Sequence, residues 1–267
     1  MIKASRLLRH VGRTPELFSV WRQTPDWMGV TKRYLEIGEP IYPCQIPLSG
    51  GGMFEVNSVG ELKVFWQIFV HNCYTLPLRC ETILDAGANV GIFSVWAARK
   101  QPQARIVSLE PFPATFRHLE KNIHNNGLQE RIRPVRYALA STTGPRQIRG
   151  GGDSPNNGLV LGGMEDSTDN AIEVPCISLA DFLKSEQFET VDLLKMDIEG
   201  SEWEVILSTA AAVLHRIRHI IVEYHEVNAR FGYTPAQMIA HLSSAGHRLT
   251  HREENADRTG LAFFSVS

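Results

Sequence analysis

The chain has 267 residues, 43% of them apolar, and a formal net charge of −2. This is apolar material enough for one large domain, or one domain with an extension, while the near-neutral charge argues against nucleic acid as a general partner. No apolar run of about 18 residues exists to span a membrane, the start lacks the apolar stretch of a secretory signal, and Cys44, Cys73, Cys80 and Cys176 have neither metal-ligand spacing nor disulfide density, so free thiols in a cytoplasmic protein are expected.

Residues 1–50 read as an N-terminal extension. Ala4 to Val20 carries helical apolar positions at Leu7, Leu8, Val11, Leu17 and Val20, with Pro15 dividing it into two short helices. Seven Lys/Arg against Glu16 and Asp26 make residues 1–33 basic. That pattern is a solvated helix face, or a surface for a membrane or an acidic partner. Pro40, Pro43 and Pro47 mark an extended segment, and Gly50 to Gly52 a loop. Glu61 to Tyr74 is predicted helical, with Val64, Phe65, Ile68 and Tyr74 on its buried side.

From Glu81 the pattern becomes βα repeats. A strand over Thr82 to Asp85 breaks on Gly87 and Gly91 and enters a helix ending near Lys100. Such a turn directs backbone N–H groups and a helix N-terminus at one spot, which suits the polar end of a nucleotide-like cofactor. A second strand, Arg105 to Leu109, ends on Glu110, 19 residues after Gly91, where a ribose diol is usually held. The spacing is Gly-x-x-x-Gly, so the dinucleotide fingerprint is absent. Phe112, Phe116, Leu119 and Ile123 form a helical stripe that Asn125, Asn126 and Gly127 end. A third strand is predicted over Ile132 to Leu139.

Ala140 to Glu173 is glycine-rich, with strand fragments near Gln147–Arg149 and Ile172–Val174 and otherwise the look of an exposed insertion over the ligand edge. Ser178 caps a short helix, Leu179 to Leu183. A strand over Val191 to Met196 runs into Asp197-Ile198-Glu199-Gly200-Ser201-Glu202, and a helix follows that buries Trp203, Ile206, Leu207, Ala210 and Leu214. His219 to Val222 forms a further strand, ending in Glu223, Tyr224 and His225. Thr234 and Pro235 start a helix that Gly246 ends, and two strands, His247 to His251 and Leu261 to Val266, close the chain. The whole fits an α/β fold with a mostly parallel sheet and one antiparallel strand.

Three blocks carry a family resemblance: Ile83 to Ser94, Leu109 to Pro113, and Asp192 to Glu202. Through them the chain resembles the FkbM-type branch of class I S-adenosylmethionine (SAM) methyltransferases, with residues 51–267 as the methyltransferase domain. The resemblance implies a Rossmann-like sheet of seven strands in the order 3-2-1-4-5-7-6, strand seven antiparallel. It also implies methyl transfer from SAM to a hydroxyl of a small molecule, a glycan or a natural product. On this reading Asp85, Gly87, Ala88, Asn89 and Gly91 form the cofactor turn, Glu110 and Pro111 lie at the ribose, Tyr137 and Ala138 near the adenine, and Asp197 nearest the methyl group.

An alcohol is a poor nucleophile until its proton is drawn away, so a general base is required. Asp197, Glu199, Glu223 and His225, at the ends of adjacent strands, are the candidates. Crowded carboxylates raise one another's pKa, and Lys195 can oppose that. Three of them have an alternative: Glu199 as a helix-start charge, Glu223 in an arginine pair, and His225 as a hydrogen-bonded loop residue; Glu202 reads as a solvated helix residue. No clear metal-ligand set can be read, although Asp197 with Glu223 is a conceivable divalent pair. An NAD-dependent oxidoreductase and a non-catalytic nucleotide-binding module are the competing functions. Residues 1–50 are open to two roles, a lid or a homodimer contact.

Overall fold

The computed structural model describes residues 14–39, 41–149, 171–225, 232–254 and 259–266. Helices α1 (Thr14–Gln23) and α2 (Trp27–Tyr34) come first, followed by a hairpin of β1 (Cys44–Pro47) and β2 (Met53–Val56). Then come α3 (Val59–Phe65) with a π-helical turn at Trp66–Val70, β3 (Thr82–Ala86), α4 (Ile92–Lys100), β4 (Arg105–Leu109), α5 (Pro113–Asn125) and β5 (Ile132–Val135). A small second sheet holds β6 (Ala138–Ala140), β7 (Gly144–Arg149) and β8 (Ala171–Ser178). The chain closes with α6 (Leu179–Ser185), β9 (Val191–Met196), α7 (Glu202–Ser208), α8 (Ala211–Leu214), β10 (Ile217–His225), α9 (Pro235–Ser244), β11 (His247–Glu254) and β12 (Thr259–Val266).

The main sheet has seven strands in the order β11-β12-β10-β9-β3-β4-β5. Counted along the chain from the opposite edge, that is 3-2-1-4-5-7-6. β12 runs antiparallel to both neighbours, and β9, β3, β4 and β5 pair in parallel. The expected class I Rossmann-like sheet is therefore present. The parallel strands read as near-continuous apolar runs because both faces are covered. Ile83, Ile106, Leu193, Ile221 and Phe263 face one core with α4 and with Val20, Val30, Ile46 and Phe54. Leu84, Val107, Leu194, Val222 and Phe264 face the other with α6, α7 and α9.

Several elements depart from the expected boundaries. The proline-rich segment and the Gly50–Gly52 loop form the β1–β2 hairpin, whose turn residues Gly50, Gly51 and Gly52 all have positive φ. Asn122 of α5 grips this hairpin: it accepts the Glu55 N–H (2.8 Å) and donates to the Glu55 and Val90 carbonyls at 3.1 and 3.0 Å. The extension is thereby tied to the turn that enters α4. The helix expected over Glu61 to Tyr74 stops at the π turn. Val64 is 38% exposed, and Tyr74 is buried from a non-helical strap instead.

The strand expected over Ile132 to Leu139 is two. β5 pairs with β4, while Ala138 to Ala140 pair with Cys176 to Ser178 of β8 in the small sheet. The helix after Gly200 breaks at Thr209, whose hydroxyl donates to the Val205 carbonyl at 2.6 Å, so Ala210 is exposed and Val205 takes its place in the core. Residues 1–13, and the part of the glycine-rich stretch over 150–170, lie outside the described residues.

Candidate active site

β3, β9 and β10 end side by side, and their loops build one site. After Ala86 the chain turns through Gly87 to Val90 and enters α4. The turn folds back on the neighbouring strand, with the Gly87 and Ala88 N–H groups both donating to the Leu109 carbonyl, at 3.1 and 2.9 Å. Gly87 has φ +77°, and a Cβ there would collide with the Asp197 carbonyl oxygen, so only glycine lets the β3 turn and the β9 loop touch. Gly91, at φ +89°, caps α4 with its Cβ position against Leu119 of α5.

Asp85 lies beneath this turn. It is fully buried, and its carboxylate accepts the Ser94 hydroxyl at 2.5 Å and faces Lys195 Nζ at 3.3 Å. The two residues are register partners on adjacent parallel strands, so both side chains leave the same face of the sheet. Lys195 Nζ also donates to the Gly87 carbonyl (3.1 Å) and stands 3.6 Å from Asp197. Burial works against its charge, but Asp85, then Asp197 and Glu223, outweigh that and hold its pKa above the ordinary lysine value. A buried cation thus stitches the glycine turn to the β9 loop.

Glu110 points into the same turn. Its two oxygens accept the Asn89 and Phe112 N–H groups, each at 3.0 Å, and the residue is only 4% exposed. Desolvation pushes its pKa up to about 7, although both backbone donors pull the other way. An ionised carboxylate offers about four lone-pair positions. Two are used by the backbone and two remain, the number a ribose diol needs. With the α4 N-terminus and the exposed Asn89 beside it, this donor–acceptor set fits the nucleoside of a SAM-type cofactor. Pro111 follows, half-buried. Tyr137 is half-buried, and Ala138 is buried in the small sheet.

The four candidate bases gather at the other side of the turn. Glu223 accepts the Tyr74 hydroxyl at 2.9 Å, and burial together with Asp197 raises its pKa to about 7. Glu199 sits in a left-handed bend (φ +55°) before Gly200, and burial plus Asp197 likewise raise it to about 7. His225 Nε2 is 3.7 Å from Glu199. Its other nitrogen, Nδ1, is 3.2 Å from Glu202. Burial disfavours the imidazolium, but the Glu202 hydrogen bond and charge, then Asp197 and Glu199, carry the His225 pKa to about 10. Among the described residues, Asp197, Glu199 and His225 bring ligand-type atoms within 4.8 Å of one another, a trio that could hold a divalent ion.

The structure thus brings Asp197, Glu199, Glu223 and His225 together, and sets Gly87, Asn89, Gly91 and Glu110 around one turn. Glu202 corrects the sequence-based expectation: it is fully buried, not solvated, and it accepts the Ile198 N–H at 2.8 Å. Tyr74 joins the site from what read as a core helix position. Lys195, expected to pair with one acid, pairs with two. The signal for it lay in a charged residue near the end of a strand that is apolar except for it and Asp192.

The model for the methyltransferase FkbM domain matches residues 85–249. Methyltransferase sdnD of Sordaria araneosa is 26% identical over 227 residues, covering 74% of this chain and 86% of its own. The 31-O-demethyl-FK506 methyltransferase FkbM of Streptomyces tacrolimicus is 24% identical over 225 residues, covering 72% and 85%. The hexuronic acid methyltransferase AglP of Haloferax volcanii is 27% identical over 165 residues, covering 62% of each chain.

Proposed function

Because the chain belongs to the FkbM methyltransferase domain family, we propose that it is a SAM-dependent O-methyltransferase acting on a hydroxyl of a sugar, a glycoconjugate or a natural product. The observation that carries the cofactor assignment is Glu110, buried, aimed into the glycine turn and left with two acceptor positions. The turn from Gly87 to Gly91 would hold the amino-acid end of the cofactor, Glu110 the ribose, and the surroundings of Tyr137 and Ala138 the base. When bound, the cofactor supplies an electrophilic methyl group. The protein's tasks are orientation, exclusion of water and removal of the acceptor's proton.

Of the four candidate bases, Glu199 is the best suited to that removal. Asp197 is held by Lys195 at 3.6 Å, Glu223 by Tyr74, and His225 by Glu202; Glu199 too has a partner, His225 at 3.7 Å, but its side chain is more open than those of Asp197 and His225. The Glu199 side chain keeps 36% of its surface exposed, and its pKa of about 7 lets it take a proton near neutral pH. Glu223 and Tyr74 then line the acceptor's other side. The relative named for 31-O-demethyl-FK506 supports an oxygen acceptor, and the one named for a hexuronic acid supports a sugar acid as acceptor. Titration calorimetry with S-adenosylhomocysteine (SAH) tests the assignment. Heat of binding with about one site per chain is expected, and a folded protein that gives none refutes it.

A further inference from the structure

We propose that helices α1 and α2 form a docking surface for an anionic lipid membrane. A helix on a folded surface ordinarily turns one apolar stripe inward and polar residues outward. α1 does not. Its inner face is seated on the π-helical turn: Val20 is fully buried, Ser19 Oγ donates to the Val70 carbonyl at 2.7 Å, and Glu16 stands 3.5 Å from His71. Its outer face carries Leu17, Phe18 and Trp21, which are 42%, 60% and 56% exposed. α2 repeats the arrangement, with Val30 buried, Tyr34 stacked on Trp66 at 4.1 Å, and Met28 58% exposed. Among the described residues, six of the eight large apolar side chains left in the open lie between Leu17 and Ile41. The fold therefore concentrates its uncovered apolar surface on this extension, where neither the core nor the candidate active site uses it.

Charge identifies the partner. Seven Lys/Arg against Glu16 and Asp26 give residues 1–33 a formal charge of +5, while the whole chain is −2 and the remainder therefore −7. Both acids are engaged elsewhere: Glu16 faces His71, and Asp26 accepts the Gly29 N–H (3.2 Å) and the Arg33 guanidinium (3.1 Å). Arg22 and Lys32 lie exposed. The Arg22 guanidinium sits 5.9 Å from the centre of the Phe18 ring, and the Trp21 ring is 5.7 Å from that ring on its own account. Exposed aromatic rings with cations held beside them are the make-up of a helix lying in a membrane interface. The apolar side chains enter the acyl boundary and the basic groups stay among the headgroups. A second copy of this chain fits less well, since a symmetric contact through this face sets like charges against each other. Single-stranded nucleic acid fits less well too, because Leu17 and Met28 offer no flat face on which a base can stack. No helix of the described residues is long and apolar enough to cross a membrane, so the contact is with its surface.

The test is flotation of the full chain with vesicles of phosphatidylcholine alone and of phosphatidylcholine mixed with phosphatidylglycerol. Binding to the anionic vesicles should be at least about tenfold tighter than to the neutral ones, and should weaken as salt is raised. Phe18→Ser combined with Trp21→Ser should weaken it at least about tenfold, because both side chains leave the acyl boundary. Arg22→Gln combined with Lys32→Gln should do the same, since each basic residue near an anionic surface is worth about fivefold. All four positions are exposed, so both double variants should keep the wild-type unfolding midpoint. A wild type that does not float with the anionic vesicles overturns the proposal, and that result needs no variant to fold. Binding that either double variant leaves unchanged overturns it as well. So does a wild type that is dimeric in sedimentation equilibrium and becomes monomeric with Phe18→Ser and Trp21→Ser, which makes the face a contact between copies. Single-stranded RNA bound more tightly than the vesicles at the same salt also overturns it. None of these readouts involves the cofactor, so the outcome is independent of the methyltransferase reading.

Discussion

The most decisive perturbation is of Glu110, read through the pH dependence of SAH binding. Its carboxyl is nine-tenths or more buried, with a pKa of about 7, and it must be ionised to accept two ribose hydroxyls while holding the Asn89 and Phe112 N–H groups. At about pH 8 some nine-tenths of the protein carries that carboxylate, and at about pH 6 one-tenth. SAH affinity should therefore fall about tenfold across the interval, about 1.4 kcal/mol. Glu110→Gln should weaken binding at pH 8 by at least about tenfold, since hydrogen bonds to a charged group are worth about 1.5–3 kcal/mol. The amide also cannot accept both backbone donors, so the turn itself loosens. The variant should show no pH step beyond that of the ligand's own amine, which titrates alike in both experiments. Calorimetry at three pH values decides it. A wild-type affinity that is flat from pH 6 to 8, or a variant that keeps the step, refutes the ribose role of Glu110.

Gly87→Ala combines a left-handed backbone with a Cβ driven into the Asp197 carbonyl, and should cost at least about 2 kcal/mol and abolish SAH binding; thermal melts and calorimetry report both. Lys195→Met leaves Asp85 buried without its cation, and should lower stability by about 3–5 kcal/mol in urea unfolding. Asp85→Asn added to it should recover part of that loss, and no recovery would show that the pair is not coupled. Glu110, Glu199 and Glu223 all have folded pKa values raised to about 7, so each adds stability that is complete below the ordinary carboxylate pKa and is lost as pH rises through about 7. His225 adds stability that is complete below its ordinary value and is lost as pH rises through about 10. The urea midpoint should accordingly drop from about pH 5 to pH 8 in the wild type and drop less in Glu223→Gln; equal slopes in the two proteins would contradict the burial argument.

Most of the fold was legible because its signals are local. β4 and β9 have the limits expected, since a strand buried on both faces reads as a mostly apolar run closed by polar residues. Thr234 and Pro235 start α9 with a full capping box, as a hydroxyl before proline predicts. The β1–β2 hairpin was not legible, because its strands are four residues long and β2 buries Phe54, Glu55 and Val56 in succession, without the apolar alternation by which a strand is recognised. What holds it is Asn122, 67 residues beyond Glu55.

The site divides along the same line. The chain by itself pointed to the candidate residues: two glycines where φ must be positive, an acid closing the next strand, and acids and a histidine after two adjacent strands. Only the tertiary structure decided what state those groups are in. Glu202 looks like an ordinary first-turn helix acid until β10 delivers His225 against it, and Lys195 looks like a stray charge until the β3–β9 register sets Asp85 beside it. Ionisation depends on desolvation and on charges a few ångströms away. Those neighbours come from strands dozens of residues apart, so no local pattern in the chain can encode them.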